Sequence, residues 1–256
     1  MAVFAVSMVK DEADVIASTV SHMLGQVDHV IVADNSSTDG TRDILAELDV
    51  ELIDDPDPAY YQADKMTVLA RRAADMGADW VVPFDADEIW YCPHADTVAA
   101  WLRPIERQWL TVTADLFDHV ATALDPDEAD PVRRIQWRRV NPAPLPKVAV
   151  RCRGDLAIHQ GNHGATYDGG TTALDGLVVR HFPYRSAEQF VSKARNGAAA
   201  YQATMLPVTV GQHWRQYGAL IEAHGDEVGH DIFRQWFWSP DPEADEGLIF
   251  DPCPTY

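Results

Sequence analysis

An acidic cluster directly follows a short apolar run in residues 80–90, which read WVVPFDADEIW. The run is short and rich in valine and aromatic residues, which predicts a buried strand of a parallel sheet. Asp85 and Asp87 stand two residues apart at its end, so on a continuing strand their side chains would point to the same side. Two carboxylates on one side form an oxygen-rich site that suits Mg²⁺ or Mn²⁺. The alternative interpretation is an acidic turn that only closes the strand.

The composition is that of a globular protein with a large excess of acidic residues. The chain has 256 residues, 46% of them apolar, and its 40 acidic and 20 basic residues give a formal charge of −20. This length supports one large domain, or one domain with a small appendage. The negative charge disfavours nucleic acid and anionic membrane surfaces as partners. An anionic substrate would need a metal ion or a few well-placed cations to be held.

Cysteine usage and the pattern of apolar residues favour a cytoplasmic protein. Cys92, Cys152 and Cys253 are odd in number and widely spaced, and they match neither a disulfide framework nor a zinc site. The first residues, MAVFAVSMVKDE, lack the basic start of a signal peptide. No apolar run approaches the length that a membrane span requires. We therefore expect a cytoplasmic location and no membrane span.

Apolar runs alternate with helical patterns through the first 90 residues. Strands are predicted at residues 3–8, 29–33, 50–53 and 80–84, with helices between them. This alternation predicts an α/β fold with a mostly parallel sheet and helices on both faces. The carboxyl ends of parallel strands meet at one edge of the sheet, so side chains that follow the strands should gather there. Four acidic residues are in such positions, namely Glu12, Asp34, Asp39 and Asp85.

Beyond residue 90 the alternation is looser, but several elements are still predicted. Strands are expected near residues 110–117, 148–152 and 177–180. Ser186 and Gln189 form a capping box that opens a helix running towards residue 204. Two further helical stretches are expected near residues 212–223 and 227–238. Trp214, Trp236 and Trp238 could stack on sugar rings, although helical spacing is more typical of core residues.

Three motifs in a fixed order resemble glycosyltransferase family 2, whose members have the GT-A fold. The motifs read MVKDEADVI, VADNSSTDGT and WVVPFDADE. A later stretch, RHFPYRSAEQFVSKARNG, is similar to the distal signature of a branch whose acidic motif reads DADE. The resemblance spans roughly residues 2–196. It implies a Rossmann-like, mostly parallel central sheet, and transfer of a sugar from a nucleoside-diphosphate sugar to an acceptor hydroxyl.

The resemblance also implies a division of the chain. We expect a GT-A catalytic domain over residues 1–205, with a nucleotide-binding half at 1–90 and an acceptor-side half at 91–205. A helical C-terminal extension is expected over residues 206–256. The donor would carry UDP or GDP, and the acceptor would be a hydroxyl compound that the motifs do not identify.

A divalent cation, Mn²⁺ or Mg²⁺, is expected because an acidic protein cannot hold a diphosphate directly. The resemblance makes Asp87 the main metal ligand and His181 the third protein ligand, since imidazole also binds Mn²⁺. Asp85 could be a ligand or could hold the ribose of the donor. Glu88 could support the site or simply lie at the surface, and His181 could instead be a satisfied core histidine.

The remaining donor-binding residues are expected in the first half of the chain. By resemblance, Asp34 accepts a hydrogen bond from the base, and Glu12 helps to hold the base or the ribose. Asp39 could also bind the donor, but it stands before Gly40 and is more typical of a helix cap. Lys65 could reach the diphosphate from its helix, or it could belong to a solvated helix face.

Inversion of configuration, which we expect, requires a base that takes the proton of the acceptor hydroxyl. Asp155 is our first candidate, and Asp168 and His163 are the others. His163 belongs to a glycine-rich polar loop, residues 159–164, that could face a substrate or could be a plain turn. Retention of configuration would need no such base.

Two other functions compete with glycosyl transfer. A sugar-phosphate nucleotidyltransferase would favour a glycine-rich, basic phosphate loop after the first strand, whereas MVKDEADV is acidic and lacks glycine. A non-catalytic nucleotide-sugar binding module would keep the donor site without the chemistry. The intact DADE motif and His181 argue against such a module.

Overall fold

A computed structural model describes residues 1–254 and shows a mixed sheet with helices packed on its faces. Its first half is a parallel sheet with strand order β3–β2–β1–β4. The strands are β1 (Ala2–Val9), β2 (His29–Asp34), β3 (Glu51–Asp54) and β4 (Ala78–Pro83). The helices between them are α1 (Ile16–Gln26), α2 (Thr41–Ala46) and α3 (Gln62–Asp75). The alternation predicted for the first 90 residues is therefore confirmed.

The second half extends the same sheet with strands of both directions. Strand β8 is antiparallel to β4 and β6, β11 is parallel to β6, and β5 is antiparallel to β11. The strands that extend it are β5 (Glu88–Tyr91), β6 (Thr111–Thr122), β7 (Trp137–Arg139), β8 (Lys147–Arg151) and β11 (Ala173–His181). Two further strands, β9 (Ala157–Ile158) and β10 (Ala165–Thr166), pair with each other in a separate antiparallel sheet. Two short helices, α4 (Val98–Leu102) and α5 (Pro131–Arg134), lie among them. The predicted α/β class is confirmed, and β5 is a strand that the sequence patterns did not reveal.

A helical C-terminal segment is present, as predicted. It contains α7 (Gln212–His224) and α8 (Asp226–Trp236), which pack against the preceding helix α6 (Ala187–Gln202) through Val191, Ala194 and Ile221. Two short strands then return to the sheet: β12 (Trp238–Ser239) pairs with β6, and β13 (Leu248–Phe250) pairs with β7. The boundary at residue 205 stays a prediction. Within residues 1–254, no helix is long and apolar enough to cross a membrane.

The core lies on both faces of the parallel strands, because alternate side chains of a strand point to opposite faces. Val30 and Val32 of β2 pack in the cluster that contains α1, whereas Ile31 packs in the cluster that contains α3. Trp80 and Val81 of β4 divide between the two clusters in the same way. Burial on both faces explains why these strands read as continuous apolar runs.

Only one of the two hydrogen bonds of the predicted capping box is present at the start of α6, and the other goes to a neighbouring residue. The Ser186 hydroxyl accepts a hydrogen bond from the Gln189 amide at 3.1 Å, as a capping residue should. The Gln189 side chain, however, accepts from the Arg185 amide at 3.1 Å and not from Ser186. This contact orders the residue that precedes the helix, and Arg185 is a residue of the site described below.

His119 of β6 is a buried titratable group on the sheet. It is 2% exposed, its Nδ1 donates to the Ile135 carbonyl at 2.8 Å, and its ring stacks on Phe182 at 4.3 Å between centroids. Burial lowers its pKa from 6.5 to about 3. The unfolded chain therefore binds a proton below about pH 6.5 that the folded chain does not take up.

We expect the free energy of unfolding to fall as the pH drops below about 6.5, by about 2 kcal/mol at pH 5 from His119 alone. His119→Phe should remove this contribution and flatten the pH dependence, whatever its effect at pH 7.5. Urea unfolding of both proteins at pH 7.5 and pH 5 measures the difference. Parallel pH profiles for the two proteins would show that His119 does not cause the loss.

Candidate active site

The acidic motif is a turn and not the continuation of a strand. Strand β4 ends at Pro83 and β5 begins at Glu88, so Asp85 and Asp87 lie in the connection between them. Asp85 accepts hydrogen bonds from Gln62, Asn162 and Lys147, whereas Asp87 faces Lys193 and His181. The expectation that the two carboxylates share one side of a continuing strand is therefore wrong, because the chain turns between them.

A cavity of about 650 Å³ opens beside this turn. The ends of β1, β4 and β11 and the helix α6 all contribute to its wall, as the carboxyl ends of parallel strands should. Five of the predicted site residues line the cavity, namely Glu12, Asp85, Asp87, His163 and His181. The other candidates, Asp34, Asp39, Lys65, Asp155 and Asp168, do not belong to its lining.

Asp87 is buried among positive charges. Its Oδ2 lies 2.5 Å from Lys193 Nζ and 3.8 Å from Arg185 Nη1, and its Oδ1 lies 3.5 Å from His181 Nε2. Burial alone would raise the pKa of Asp87, but Lys193 and His181 outweigh burial and hold it well below its usual value. Asp87 is therefore ionised at neutral pH, as a metal ligand must be.

His181 lies at the end of β11 between two carboxylates. Its Nδ1 donates to Asp118 at 2.7 Å, and its Nε2 points towards Asp87. Burial would lower the pKa of His181, but the two carboxylates raise it to about 10. The hydrogen bond to Asp118 fixes the orientation of the ring, which is how metal-binding histidines are commonly held. Release of the Nε2 proton would present a nitrogen ligand beside Asp87.

The donor set of Asp87 and His181 fits a divalent cation such as Mn²⁺, since a carboxylate oxygen and an imidazole nitrogen face each other. The predicted set of three ligands is not preassembled. No three His, Cys, Asp or Glu side chains within residues 1–254 are arranged as a metal site. Both oxygens of Asp85 instead accept hydrogen bonds, from Gln62 at 2.9 Å, Asn162 at 3.0 Å and Lys147 at 2.5 Å.

Glu88 and Lys147 form a buried ion pair behind the acidic turn. Glu88 is fully buried, its Oε1 lies 2.8 Å from Lys147 Nζ, and its Oε2 accepts from Trp90 Nε1 at 3.0 Å. Burial raises the pKa of Glu88, although Lys147 opposes this shift. Because Lys147 also contacts Asp85, one ammonium group neutralises two carboxylates. Glu88 is thus a structural support and does not lie at the surface.

Asp34 and Asp39 lie next to the cavity and order the loops around it. Asp34 is buried, and its Oδ2 lies 3.6 Å from Arg42 Nη1. Asp39 accepts hydrogen bonds from the Thr41 hydroxyl at 2.6 Å and from the Ala13 amide at 2.9 Å. These bonds lower the pKa of Asp39 although burial opposes them. Asp39 thereby ties the loop after β1 to the loop after β2. Its role is structural, but it is not the predicted helix cap, because Gly40 is the N-cap of α2.

Lys65 and Asp155 are held by partners outside the cavity. Lys65 Nζ contacts the Asp55 carboxylate at 2.6 Å and the Asp57 carbonyl at 2.6 Å. Asp155 accepts two hydrogen bonds from Arg153, at 3.0 and 2.9 Å. It also accepts one from the Asp168 amide at 2.9 Å. The structure gives both side chains local structural partners.

The predicted glycine-rich loop reaches the cavity and presents His163. It contains a 3₁₀ turn, Gln160–Asn162, in which Gly161 has φ of 75°. A Cβ atom at Gly161 would lie 2.4 Å from the His163 ring, so glycine is required there. His163 Nδ1 donates to the Pro146 carbonyl at 2.9 Å, which leaves Nε2 as the acceptor. Burial lowers the pKa of His163, so the ring is neutral at pH 7.

Sequence reasoning missed the cations and one carboxylate of the site. Lys147, Lys193 and Arg185 neutralise the acidic residues, and Asp118 orients His181. The scarcity of lysine in the sequence could have identified Lys147 and Lys193 in advance. The chain contains only four lysines, and Lys10, Lys147 and Lys193 all line the cavity. In a Lys-poor chain with a charge of −20, each lysine is a candidate counter-charge for a buried carboxylate.

Residues 5–130 match the family model described as Glycosyl transferase family 2. The resemblance inferred from the three motifs is thereby confirmed, and with it the enzyme class, a glycosyltransferase. The family 2 match ends before β8, β11 and α6, which supply Lys147, His181 and Lys193.

Several solved structures are similar to this chain. A mannosyltransferase from Pyrobaculum calidifontis, in complex with GDP-Man and Mn²⁺, is 15% identical, with 95% of this chain and 76% of that chain covered and a TM-score of 0.45. Glucosyl-3-phosphoglycerate synthase from Mycobacterium tuberculosis, with Mn²⁺, UDP and glucosyl-3-phosphoglycerate, is 15% identical (80% and 81% covered, TM-score 0.43). Mannosyl-3-phosphoglycerate synthase from Rubrobacter xylanophilus is 14% identical (86% and 76% covered, TM-score 0.40). No curated protein matches the chain.

We expect Lys147→Met to destabilise the protein by about 3–5 kcal/mol, because Asp85 and Glu88 would lose their shared counter-charge. Urea unfolding at pH 7.5 gives the free energy. Arg234→Met is the matched control, since Arg234 pairs with Asp231 on the exposed face of α8, and it should cost less than about 0.5 kcal/mol. A loss below about 1 kcal/mol in Lys147→Met would contradict the proposed role of the ion pair.

Proposed function

We propose that this glycosyltransferase is metal-dependent and transfers a sugar, with inversion, from a nucleoside-diphosphate sugar of the UDP or GDP type to an acceptor hydroxyl. One observation carries the proposal. Asp87 and His181 face each other across 3.5 Å in the wall of a cavity of about 650 Å³, which suits a ligand of nucleotide-sugar size. Asp85 lines the same cavity from the acidic turn.

A divalent cation, Mn²⁺ or Mg²⁺, would supply the charge that links the acidic turn to the donor diphosphate and stabilises the leaving group. In this proposal Asp87 and His181 hold the cation, and Asp118 keeps the His181 ring in place. Lys193 lies 2.5 Å from Asp87 and can move its ammonium group towards the diphosphate. Asp85 is held by three hydrogen bonds, which supports a role in orienting the ribose or the sugar of the donor.

Asp34 and Glu12 are our candidates for holding the nucleoside. Asp34 Oδ1 accepts no hydrogen bond from residues 1–254, and the next residue, Asn35, lines the cavity. Because Oδ1 is buried outside the lining, the Asp34 carboxylate must become exposed to the cavity before it can accept a hydrogen bond from an N–H group of the base. Glu12 lines the cavity and is paired with Lys193 at 3.1 Å. We assign Asp39 and Lys65 to the support of neighbouring loops, because local partners occupy their charged groups.

His163 is our candidate for the base that takes the proton from the acceptor hydroxyl. It lines the cavity, and its Nε2 carries a lone pair when Nδ1 donates to Pro146. The lowered pKa keeps Nε2 free of a proton at neutral pH. Asp155, our first candidate from the sequence, is held by Arg153 outside the cavity. His163 therefore replaces Asp155 in the proposal.

We expect Asp87→Ala to lower metal-dependent release of UDP or GDP at least 100-fold, as for the loss of a group that stabilises the leaving charge. UDP-glucose and GDP-mannose are the test donors, with and without Mn²⁺. Asp231→Ala, which removes an exposed carboxylate of α8, should leave the rate unchanged. Because Lys193 and Arg185 already neutralise Asp87, Mn²⁺ should bind more tightly with UDP or GDP present than alone. Robust turnover by Asp87→Ala without metal would exclude this mechanism.

We expect His163→Ala to lower kcat by about 10²–10⁴-fold, the usual contribution of a general base. The wild-type value of kcat/KM should decline only below about pH 6.5, because the pKa of His163 lies under that ordinary value. The variant should lack this acidic limb. Asp155→Ala should keep most of the activity, and NMR of the product should show an inverted anomeric centre. Loss of activity in Asp155→Ala alone would return the role to Asp155.

A further inference from the structure

Aromatic side chains from the C-terminal half form one wall of the cavity. Tyr184, Tyr201 and Trp214 all line it, and Tyr60 packs on Tyr201 with ring centroids 4.9 Å apart. The first three lie beyond residue 130, where the family match ends. Tyr201 lies on α6, Trp214 on α7 and Tyr184 just before α6, so most of the wall comes from the part of the chain outside the family match.

The Trp214 indole packs directly against the backbone of α6 at Gly197. A Cβ atom at Gly197 would lie 3.0 Å from Cγ and Cδ2 of the indole, so the ring packs against the bare helix. Tyr184 meets the indole edge-on, at 6.3 Å between centroids and 61° between planes. The indole is only partly buried and also lines the cavity. Its position is thus fixed from behind while part of its surface is open to a ligand.

Two of the three lysines in the lining are neutralised by carboxylates, and the third donates only to backbone carbonyls. Lys10 donates to the Asn35 carbonyl at 2.8 Å, and Lys147 and Lys193 are paired with buried carboxylates. Burial lowers the pKa of His213, which lies beside Trp214, so this ring is neutral at pH 7. The rings of the aromatic wall are themselves uncharged, although Arg215 packs over the Tyr201 ring at 5.6 Å and Lys10 keeps its charge where it follows β1.

The aromatic wall and the acidic motif are contacted by the same helix, α6, at positions about one helical repeat apart. Lys193 contacts Asp87, and Gly197 follows four residues later on the same face of α6. Four residues of helix rise about 6 Å, which is close to the width of one sugar ring. A ring stacked on Trp214 would thus place a hydroxyl near the site proposed for the donor sugar.

We infer that this aromatic wall is the acceptor subsite and that it takes the ring of an uncharged pyranoside. Its apolar C–H face would stack on Trp214, and its hydroxyl groups would bond to neutral polar groups such as Tyr201 and Gln160, which contact each other at 3.4 Å. An aromatic surface with few polar groups suits the apolar face of a neutral sugar better than a phosphorylated acid. The role of this wall as an acceptor subsite rests on the proposed function, but the binding of a sugar to it can be measured independently.

Binding of neutral methyl pyranosides (glucoside, galactoside, mannoside and N-acetylglucosaminide) to the full chain tests the inference, by saturation-transfer NMR without metal or donor. At least one should bind, and it should bind more tightly than 3-phosphoglycerate. Because no donor is present, failure of metal-dependent transfer would not change this result. Tighter binding of 3-phosphoglycerate, or no binding of any pyranoside, would overturn the assignment.

Variants of the wall locate the bound sugar. Trp214→Ala should weaken binding at least ten-fold, and Trp214→Phe should restore most of it. Trp236→Ala is the matched control, because Trp236 is 62% exposed on α8 and does not line the cavity, and it should bind as the wild type does. Gly197→Ala introduces a better helix former into α6 but displaces the indole, so it should weaken binding several-fold even if Trp214→Ala does not fold. Unchanged binding in Gly197→Ala and Trp214→Phe would place the sugar elsewhere.

Discussion

Neutralisation of buried carboxylates is the constraint on which the rest of the structure depends. Asp87 and Glu88 are each less than 4% exposed and lie next to one another in the chain, in a protein with a formal charge of −20. Ionised groups leave water at a high cost unless a paired charge compensates them. Lys147 supplies that charge on one side of the acidic turn, and Lys193 supplies it on the other.

These counter-charges come from elements that are far away in the sequence. Lys147 is on β8, which runs antiparallel to β4, and Lys193 is on α6 after the last large strand. Arg185, just before α6, contacts both Glu12 and Asp14 of the loop after β1. The C-terminal half therefore completes the site that the first half begins. It also brings the aromatic wall next to the same carboxylates, since α6 carries both Lys193 and Gly197.

The two aspartates of the acidic motif have different partners because the chain turns between them. A continuing strand would have given them one direction, but the chain turns after Pro83, so each meets a different set of partners. Asp85 is tied through Gln62 and Asn162 to the loop that carries His163. Asp87 faces His181 at the end of β11. One turn thus connects the proposed donor side with the proposed acceptor side.

The sequence by itself determined the α/β class, the parallel arrangement of the first four strands and the resemblance to glycosyltransferase family 2, and it predicted Asp85, Asp87 and His181 as site residues. Those features follow from local periodicity and from motifs that are contiguous in the chain. Only the tertiary structure decided that Lys147 and Lys193 neutralise the turn and that Asp155 lies outside the cavity. Such pairings join residues more than 60 positions apart, and no local pattern encodes which lysine meets which carboxylate. The partner of a buried charge is selected by how the strands and helices pack, because only packing brings the two groups out of water together.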